Sequence, residues 1–256
     1  MNTKLNMNKL PLLAVGLGAL TLTLRLSLFL LGRDEKGLLI TGHPLDILIW
    51  IITAAAAALV ITQVWKLGGS GKYEHNFGPD AAAFAGCVVL AAGIAATVLL
   101  DWNAWTRMAL LCNVCGLLAA PALVAAGLCR RRGSRPFIAF HGMVCLYLTV
   151  YAVSHYQIWC SRPQMQNWFF SMAAVLLLAL FSYYQTAFDA DMGSRRMQLI
   201  TGLLAAFFCT AAVAGGEDVL LYLGGAAWAI TNLCRLTPVR RRRPNPITEK
   251  TEEDAE

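Results

Sequence analysis

Charged residues are scarce in this sequence. Only 14% of its 256 residues are Asp, Glu, Lys or Arg, whereas 57% are hydrophobic. Soluble domains carry about 25% charged and about 45–50% apolar residues, so the composition excludes a soluble enzyme. The net charge of +6 does not indicate a nucleic-acid partner, because the basic residues lie in short segments between apolar runs. The sequence therefore predicts a membrane protein whose main partner is the lipid bilayer.

Histidine is also scarce, since the chain has only four. That number is too small for a multi-histidine lipid hydrolase. His141 and His155 are 14 residues apart, a spacing typical of ligands to two haems, but a second helix with a matching pair is lacking. His43 directly precedes Pro44, and His75 lies in a glycine-rich segment. The motifs of zinc proteases and serine hydrolases are missing as well. We therefore expect no cofactor and no metal.

Long apolar runs occupy most of the chain. Eight segments approach the roughly 20 residues that a membrane-spanning helix needs. The last two are short and only four residues separate them, which predicts a tight hairpin. We expect one all-helical transmembrane domain over residues 1–236 and a disordered cytoplasmic tail over residues 237–256. The predicted spans are 11–32, 44–65, 80–100, 105–129, 136–157, 167–188, 197–214 and 219–236.

Lysine and arginine in the short loops predict the orientation, because they favour the cytoplasmic side. The two termini and every second loop hold 16 of these residues, and the alternate loops hold four. Both termini should thus be cytoplasmic, with an even number of spans in a bacterial cytoplasmic membrane. Cleavage of the first span as a signal peptide is an alternative, because Lys4 and Lys9 precede it.

The tail contains a basic cluster directly after the last predicted span. It consists of Arg240, Arg241, Arg242 and Arg243. Such clusters are attracted to the negative surface of the cytoplasmic leaflet. We expect this cluster to bind anionic lipid headgroups.

Two charged residues lie within or beside the first two spans. A charge inside a span costs about 2.5–3.5 kcal/mol on insertion scales, so such residues point to function. Arg25 lies seven residues before the outer end of the first predicted span, and Asp46 begins the second span on the same side. One interpretation is an Arg25–Asp46 pair inside the bundle. The other is that Arg25 reaches the outer headgroups by snorkelling.

Polar residues recur at a helical spacing in the fifth span. Tyr147, Tyr151 and His155 are four residues apart and therefore share a helix face. Their polar atoms would lack partners in lipid, so this face should point into the bundle. Asn113 in the fourth span lies at a similar depth to Tyr151, and Asp101 lies at the outer rim. The pattern predicts either a hydrogen-bonded packing seam or the wall of an outward-facing cavity.

Three cysteines suggest a different chemistry. Cys112 and Cys115 form a Cys-x-x-Cys pair inside the fourth span, and Cys160 lies at the next outer loop. The arrangement resembles membrane thiol–quinone oxidoreductases, which use an intramembrane cysteine pair and a mobile outer cysteine. It departs from them because a second outer cysteine is lacking, and residues three apart on a helix bridge poorly.

A glycine-rich turn over residues 68–72 looks like the end of a phosphate-binding loop. Lys66 stands where that motif needs its first glycine, and Tyr73 replaces its Ser or Thr. We interpret this segment as a flexible cytoplasmic turn.

These patterns favour a non-enzymatic membrane protein whose outward-facing polar cavity binds or transports a small solute. The solute should be cationic, because the outer loops hold six carboxylates. The alternatives are a thiol–quinone oxidoreductase and a membrane scaffold or assembly partner. The residues predicted to line the cavity are Arg25, Asp46, Asp101, Asn113, Tyr147, Tyr151 and His155.

Overall fold

A computed structural model describes residues 9–33, 38–40, 42–65, 71–102, 106–161, 168–234 and 236. Within these residues the fold is all-helical, and β-pairing is limited to one bridge between Arg33 and Leu39. A 3₁₀ turn, Val213–Gly215, connects the last two helices. The helices are α1 (Lys9–Leu31), α2 (Pro44–Trp65), α3 (Tyr73–Asn76), α4 (Ala81–Leu100), α5 (Arg107–Arg131), α6 (Ile138–Cys160), α7 (Phe169–Asp189), α8 (Arg195–Ala212) and α9 (Val219–Cys234).

Seven of these helices are long and apolar enough to cross a membrane, namely α1, α2 and α4 to α8. A helix suits this environment because it satisfies its backbone hydrogen bonds internally. The apolar helix α9 has 16 residues, which extend ~24 Å at 1.5 Å per residue. The hydrocarbon core of a bilayer is about 30 Å thick. The all-helical membrane architecture is confirmed, whereas the eighth span and the orientation stay predictions.

Six helices form a closed ring in the order α4, α5, α6, α7, α8 and α9, in which each helix packs against the next and α9 returns to α4. Helices α1 and α2 pack outside this ring against α8. As a result α8 is the most enclosed of the seven long apolar helices, and 78% of the residues in its apolar stretch are buried.

Successive long helices run in opposite directions, so the loops gather at two ends of the bundle. We name the ends by one residue each. The Asp101 end carries Asp101, between α4 and α5, and Asp218, between α8 and α9. The Arg195 end carries α3, the α5–α6 loop and the α7–α8 loop.

Glycines allow α4 and α9 to approach closely. A β-carbon on Gly93 of α4 would lie 2.6 Å from the carbonyl oxygen of Leu220. One on Gly224 of α9 would lie 2.8 Å from the Cα atom of Leu90. Both neighbours are backbone atoms that cannot move without displacing a helix. Lipid provides no hydrophobic drive between helices, so close packing of small residues stabilises this pair.

The first prediction concerns Gly224, with Gly16 as its matched control. Replacing a helical glycine by alanine gains about 0.5–1 kcal/mol when space is available. A β-carbon on Gly16 would have no atom within 4 Å, so Gly16→Ala should hold or raise the melting temperature in mild detergent. Gly224→Ala should lower it, since overpacking costs about 1–3 kcal/mol. Equal shifts for both variants would contradict the proposed close packing.

Candidate functional site

The polar face of α6 points into the bundle at the Asp101 end. Tyr147 and Tyr151 are each 1% exposed. The ring centroids of these two tyrosines are 5.9 Å apart, and the Tyr151 and His155 rings stack at 4.0 Å. The Tyr147 hydroxyl is 2.9 Å from the Thr97 hydroxyl on α4. An aromatic column therefore runs from the middle of the bundle to its Asp101 end.

The column ends at a carboxylate from another part of the chain. The Tyr151 hydroxyl donates a short hydrogen bond to Asp218, just before α9. Asp218 has a φ of 47° and Gly216 a φ of 72°, in the left-handed region that Gly and Asp tolerate best. The Asp218 carbonyl accepts a hydrogen bond from the backbone N–H of Tyr222, 3.1 Å away, at the start of α9. The hairpin thus directs the Asp218 side chain towards α6.

A second carboxylate lies beside His155. The Asp101 Oδ2 atom is 3.9 Å from Nε2 of His155. The other ring nitrogen of His155 is 3.0 Å from the Ser154 hydroxyl and 3.1 Å from the Tyr151 carbonyl. Asn113 on α5 donates its amide to the Asp101 carbonyl at 3.3 Å. Five of the predicted residues, Asp101, Asn113, Tyr147, Tyr151 and His155, therefore come together with Asp218.

The electrostatics of this cluster favour positive charge. Burial raises the pKa of Asp218 above its ordinary value. The hydrogen bond from Tyr151 and the nearby His155 oppose this rise, whereas the negative charges of Asp101 and Glu217 add to it. Protonation of a carboxylate or the binding of a cation would therefore be favourable here.

The second prediction is a pH dependence of stability that depends on Asp218. A pKa raised in the folded state means that the folded protein holds this proton more tightly than the unfolded chain does. The free energy of unfolding should therefore fall as the pH rises from the ordinary Asp pKa through the raised one. Asp218→Asn should abolish this pH dependence of the free energy of unfolding, whereas Glu74→Gln, at the opposite end of the bundle, should retain it. Thermal unfolding between about pH 4 and pH 8 checks this, and an unchanged slope in Asp218→Asn would contradict it.

Arg25 makes contacts inside the bundle and is 0% exposed. Its guanidinium donates to the Ala211 carbonyl at 2.5 Å and lies 4.2 Å from the Phe170 ring centroid. Ala211 belongs to the last turn of α8, where carbonyls have no partner within the helix, so Arg25 caps α8 and ties α1 to it. Snorkelling to the headgroups is thereby excluded. Asp46 is half-buried in the first turn of α2, and an Arg25–Asp46 pair stays a prediction.

The three cysteines of the redox alternative lie in different surroundings. Cys112 and Cys115 are each 6% exposed on α5, and Cys160 is exposed at the end of α6. All three are free thiols. A redox role for them stays a prediction.

The structure also contains a buried polar cluster at the Arg195 end that sequence reasoning missed. Nδ1 of His141 is 2.6 Å from the carboxylate of Asp189, and both side chains are buried. Arg135 donates a short hydrogen bond to the Asp189 carbonyl and pairs with Asp191 at 2.8 Å. Asp191 also accepts the backbone N–H of Tyr73 at 2.9 Å. The sequence feature that could have indicated this cluster is Asp189, a charged residue at the end of the apolar helix α7.

The segment after the glycine-rich turn docks onto the same end. The Gly71 carbonyl accepts a hydrogen bond from the backbone N–H of Gly193 at 3.2 Å. Asn76 of α3 is 1% exposed, and its side chain accepts a hydrogen bond from Arg195 at 3.0 Å. Residues 71–80 are therefore packed against α8, while the start of the predicted flexible turn lies outside the described residues.

The predicted headgroup cluster in the tail also lies outside the described residues. It was expected at Arg240, Arg241, Arg242 and Arg243, and its role stays a prediction.

No protein-family model matches the chain, and neither a curated protein nor a solved structure matches it.

Proposed function

We propose that this protein binds a small organic cation at the Asp101 end and carries it across the membrane. The observation that supports this most directly is the hydrogen bond from Tyr151 to the half-buried carboxylate of Asp218. It holds a negative charge at the end of an aromatic column, next to Asp101 and Glu217. Such an arrangement attracts a positively charged ligand.

The aromatic rings favour an ammonium group as the ligand. A cation gains about 0.5–2 kcal/mol over the face of an aromatic ring, more when it is desolvated. Tyr147 and Tyr151 supply such rings beside Asp218, and the phenol hydroxyl of Tyr151 fixes the carboxylate. Across the described ranges, no group of three or more His, Cys, Asp or Glu side chains is arranged to hold a metal ion. The aromatic rings beside the carboxylate favour an amine as the ligand.

The distribution of polar groups along α6 supports transport. His155 lies in the cluster at the Asp101 end and His141 in the cluster at the Arg195 end, ~21 Å apart along the helix. Val144 and Leu148 lie between them and are 0% exposed. A polar cluster at each end, with these apolar side chains between them, is compatible with a carrier that opens to each side in turn.

We also propose that α9 is an eighth span. It packs along α4 through Gly224, and the left-handed Gly216 turns the chain back from α8. Its 16 residues need a locally thinned bilayer, which costs only fractions of a kcal/mol per Å of mismatch. The excess of basic residues at the termini and alternate loops is consistent with both termini lying in the cytoplasm.

The third prediction tests the number of spans. With eight spans, affinity tags at the two termini lie on the same side of the membrane. In inside-out vesicles a protease should therefore remove both tags, and in right-side-out vesicles it should remove neither. Removal of one tag in each preparation would show an odd number of spans.

The fourth prediction concerns cation binding by the purified protein. Methylammonium and tetramethylammonium serve as probes in isothermal titration calorimetry, with sodium as an inorganic comparison. Asp218→Asn removes a charge-assisted contact worth about 1.5–3 kcal/mol, so it should weaken binding about tenfold or more. Tyr151→Phe should also weaken binding, because it releases the carboxylate from its fixed position.

Glu74→Gln is the matched control for this experiment. It also neutralises a carboxylate, but in an exposed position of α3 at the Arg195 end. Affinity should stay within about twofold of the wild type, since exposed charges contribute little. The proposal is wrong if the wild-type protein binds neither ammonium probe, or if Asp218→Asn and Glu74→Gln have equal effects.

A further inference from the structure

A cavity at the Arg195 end lies apart from the cluster around Asp218. Its volume is about 420 Å³, and it lies between α3 and the loop that connects α5 and α6. Tyr73, Phe77 and Glu74 line one side, and Gly133 and Arg135 line the other. This volume is sufficient for a phosphate group and part of the molecule that carries it.

A buried cation lies behind two residues that line this cavity, Tyr73 and Phe77. Arg130 is 5% exposed, and its guanidinium lies 4.0 Å from the centroid of the Phe77 ring. It is also close enough to the Tyr73 hydroxyl to interact with it electrostatically. Within the described part of the chain, Nε and one terminal nitrogen of Arg130 are buried without a hydrogen-bond acceptor. Such buried donors are rare in folded proteins, and the buried charge of Arg130 makes the potential at the cavity lining more positive.

Arg135 supplies a second cation, whose position is fixed. Its Nε atom donates to the Asp189 carbonyl and one terminal nitrogen to the Asp191 carboxylate. A guanidinium has five N–H donors, so these bonds orient the group without using all of its donors. A guanidinium whose position is already fixed by hydrogen bonds loses little conformational entropy when it binds an anion.

We propose that this cavity binds a phosphate group, with Arg135 as its direct partner at the rim and Arg130 as a positive charge behind Phe77 and Tyr73. Planar guanidinium groups match the geometry of phosphate oxygens and form charge-assisted hydrogen bonds with them. Tyr73 lines the same side and interacts with Arg130 behind it. Glu74 on the rim carries the opposite charge and weakens binding of the anion.

Two sources can supply the same phosphate chemistry. One is a lipid headgroup, because the cavity lies at the helix ends, and Phe137 and Ile138 beside Arg135 are 66% and 45% exposed. These apolar side chains would contact the acyl chains of a bound lipid. The other source is a soluble phosphate ester.

The test uses the full-length protein in detergent with two probes, a short-chain phosphatidylglycerol and inorganic phosphate. Binding is followed by microscale thermophoresis. Arg135→Gln should weaken the affinity for whichever probe the wild-type protein binds by about tenfold. Arg132→Gln removes the same charge from an exposed position that does not line the cavity, so it should change the affinity less than about twofold.

Two further variants keep the test decisive if the loss of Arg135 disturbs the fold. Glu74→Gln should strengthen binding, because it removes a repulsive charge from the rim. Arg130→Gln removes the positive charge behind the lining, so it should weaken binding. A variant that melts at the wild-type temperature without ligand counts as folded.

The outcomes separate the sources and the alternatives. Binding of the lipid alone supports a headgroup site, and binding of inorganic phosphate supports a soluble ligand. Asp218→Asn should leave the affinity for the lipid or for phosphate unchanged. The phosphate proposal can therefore fail independently of the cation proposal. The inference is overturned if neither probe binds, if Arg135→Gln and Arg132→Gln have equal effects, or if Glu74→Gln weakens binding.

Discussion

The hydrogen bond between Tyr151 and Asp218 connects the ring of helices at its Asp101 end. It joins the inner face of α6 to the loop before α9, two elements 67 residues apart in the chain. In lipid there is no water to satisfy a polar group, so a buried hydroxyl needs a partner from the protein. Tyr147 meets the same requirement through Thr97. The polar groups of α6 therefore determine which neighbouring elements must face it.

The same requirement explains why the polar interior divides into two clusters. Charged and polar side chains concentrate near the helix ends, where loops supply partners such as Asp218 and Arg135. Between them, Val144 and Leu148 are fully buried. The Asp101 end gathers Asp101, Glu217 and Asp218, whereas the Arg195 end holds Arg130 and Arg135 as well as acidic residues, so arginines gather only in the cluster at the Arg195 end. Both proposals, an organic cation at one end and a phosphate at the other, follow from this asymmetry.

Local sequence patterns predicted the seven helices that are long and apolar enough to cross a membrane and several residues of the candidate site. The second span was expected over residues 44–65, and α2 covers the same residues. The four-residue spacing of Tyr147, Tyr151 and His155 identified the buried face of α6. Helical periodicity and hydrophobicity are properties of neighbouring residues, so the sequence displays them directly.

Contacts between distant segments were not predictable in this way. Asp218 looked like one of several loop carboxylates, because its role depends on a left-handed turn that directs it to α6. Arg130 looked like a topology signal, and only the docking of residues 71–80 buries it under Phe77. Arg25 was considered as a partner for Asp46, but the structure also uses it to cap α8.

Difference infrared spectroscopy tests directly whether the carboxylate of Asp218 receives the cation, by comparing the protein with and without saturating methylammonium. If it does, the carboxylate stretching bands should shift in the wild type, and this shift should be absent in Asp218→Asn. A difference spectrum that the substitution leaves unchanged would contradict it.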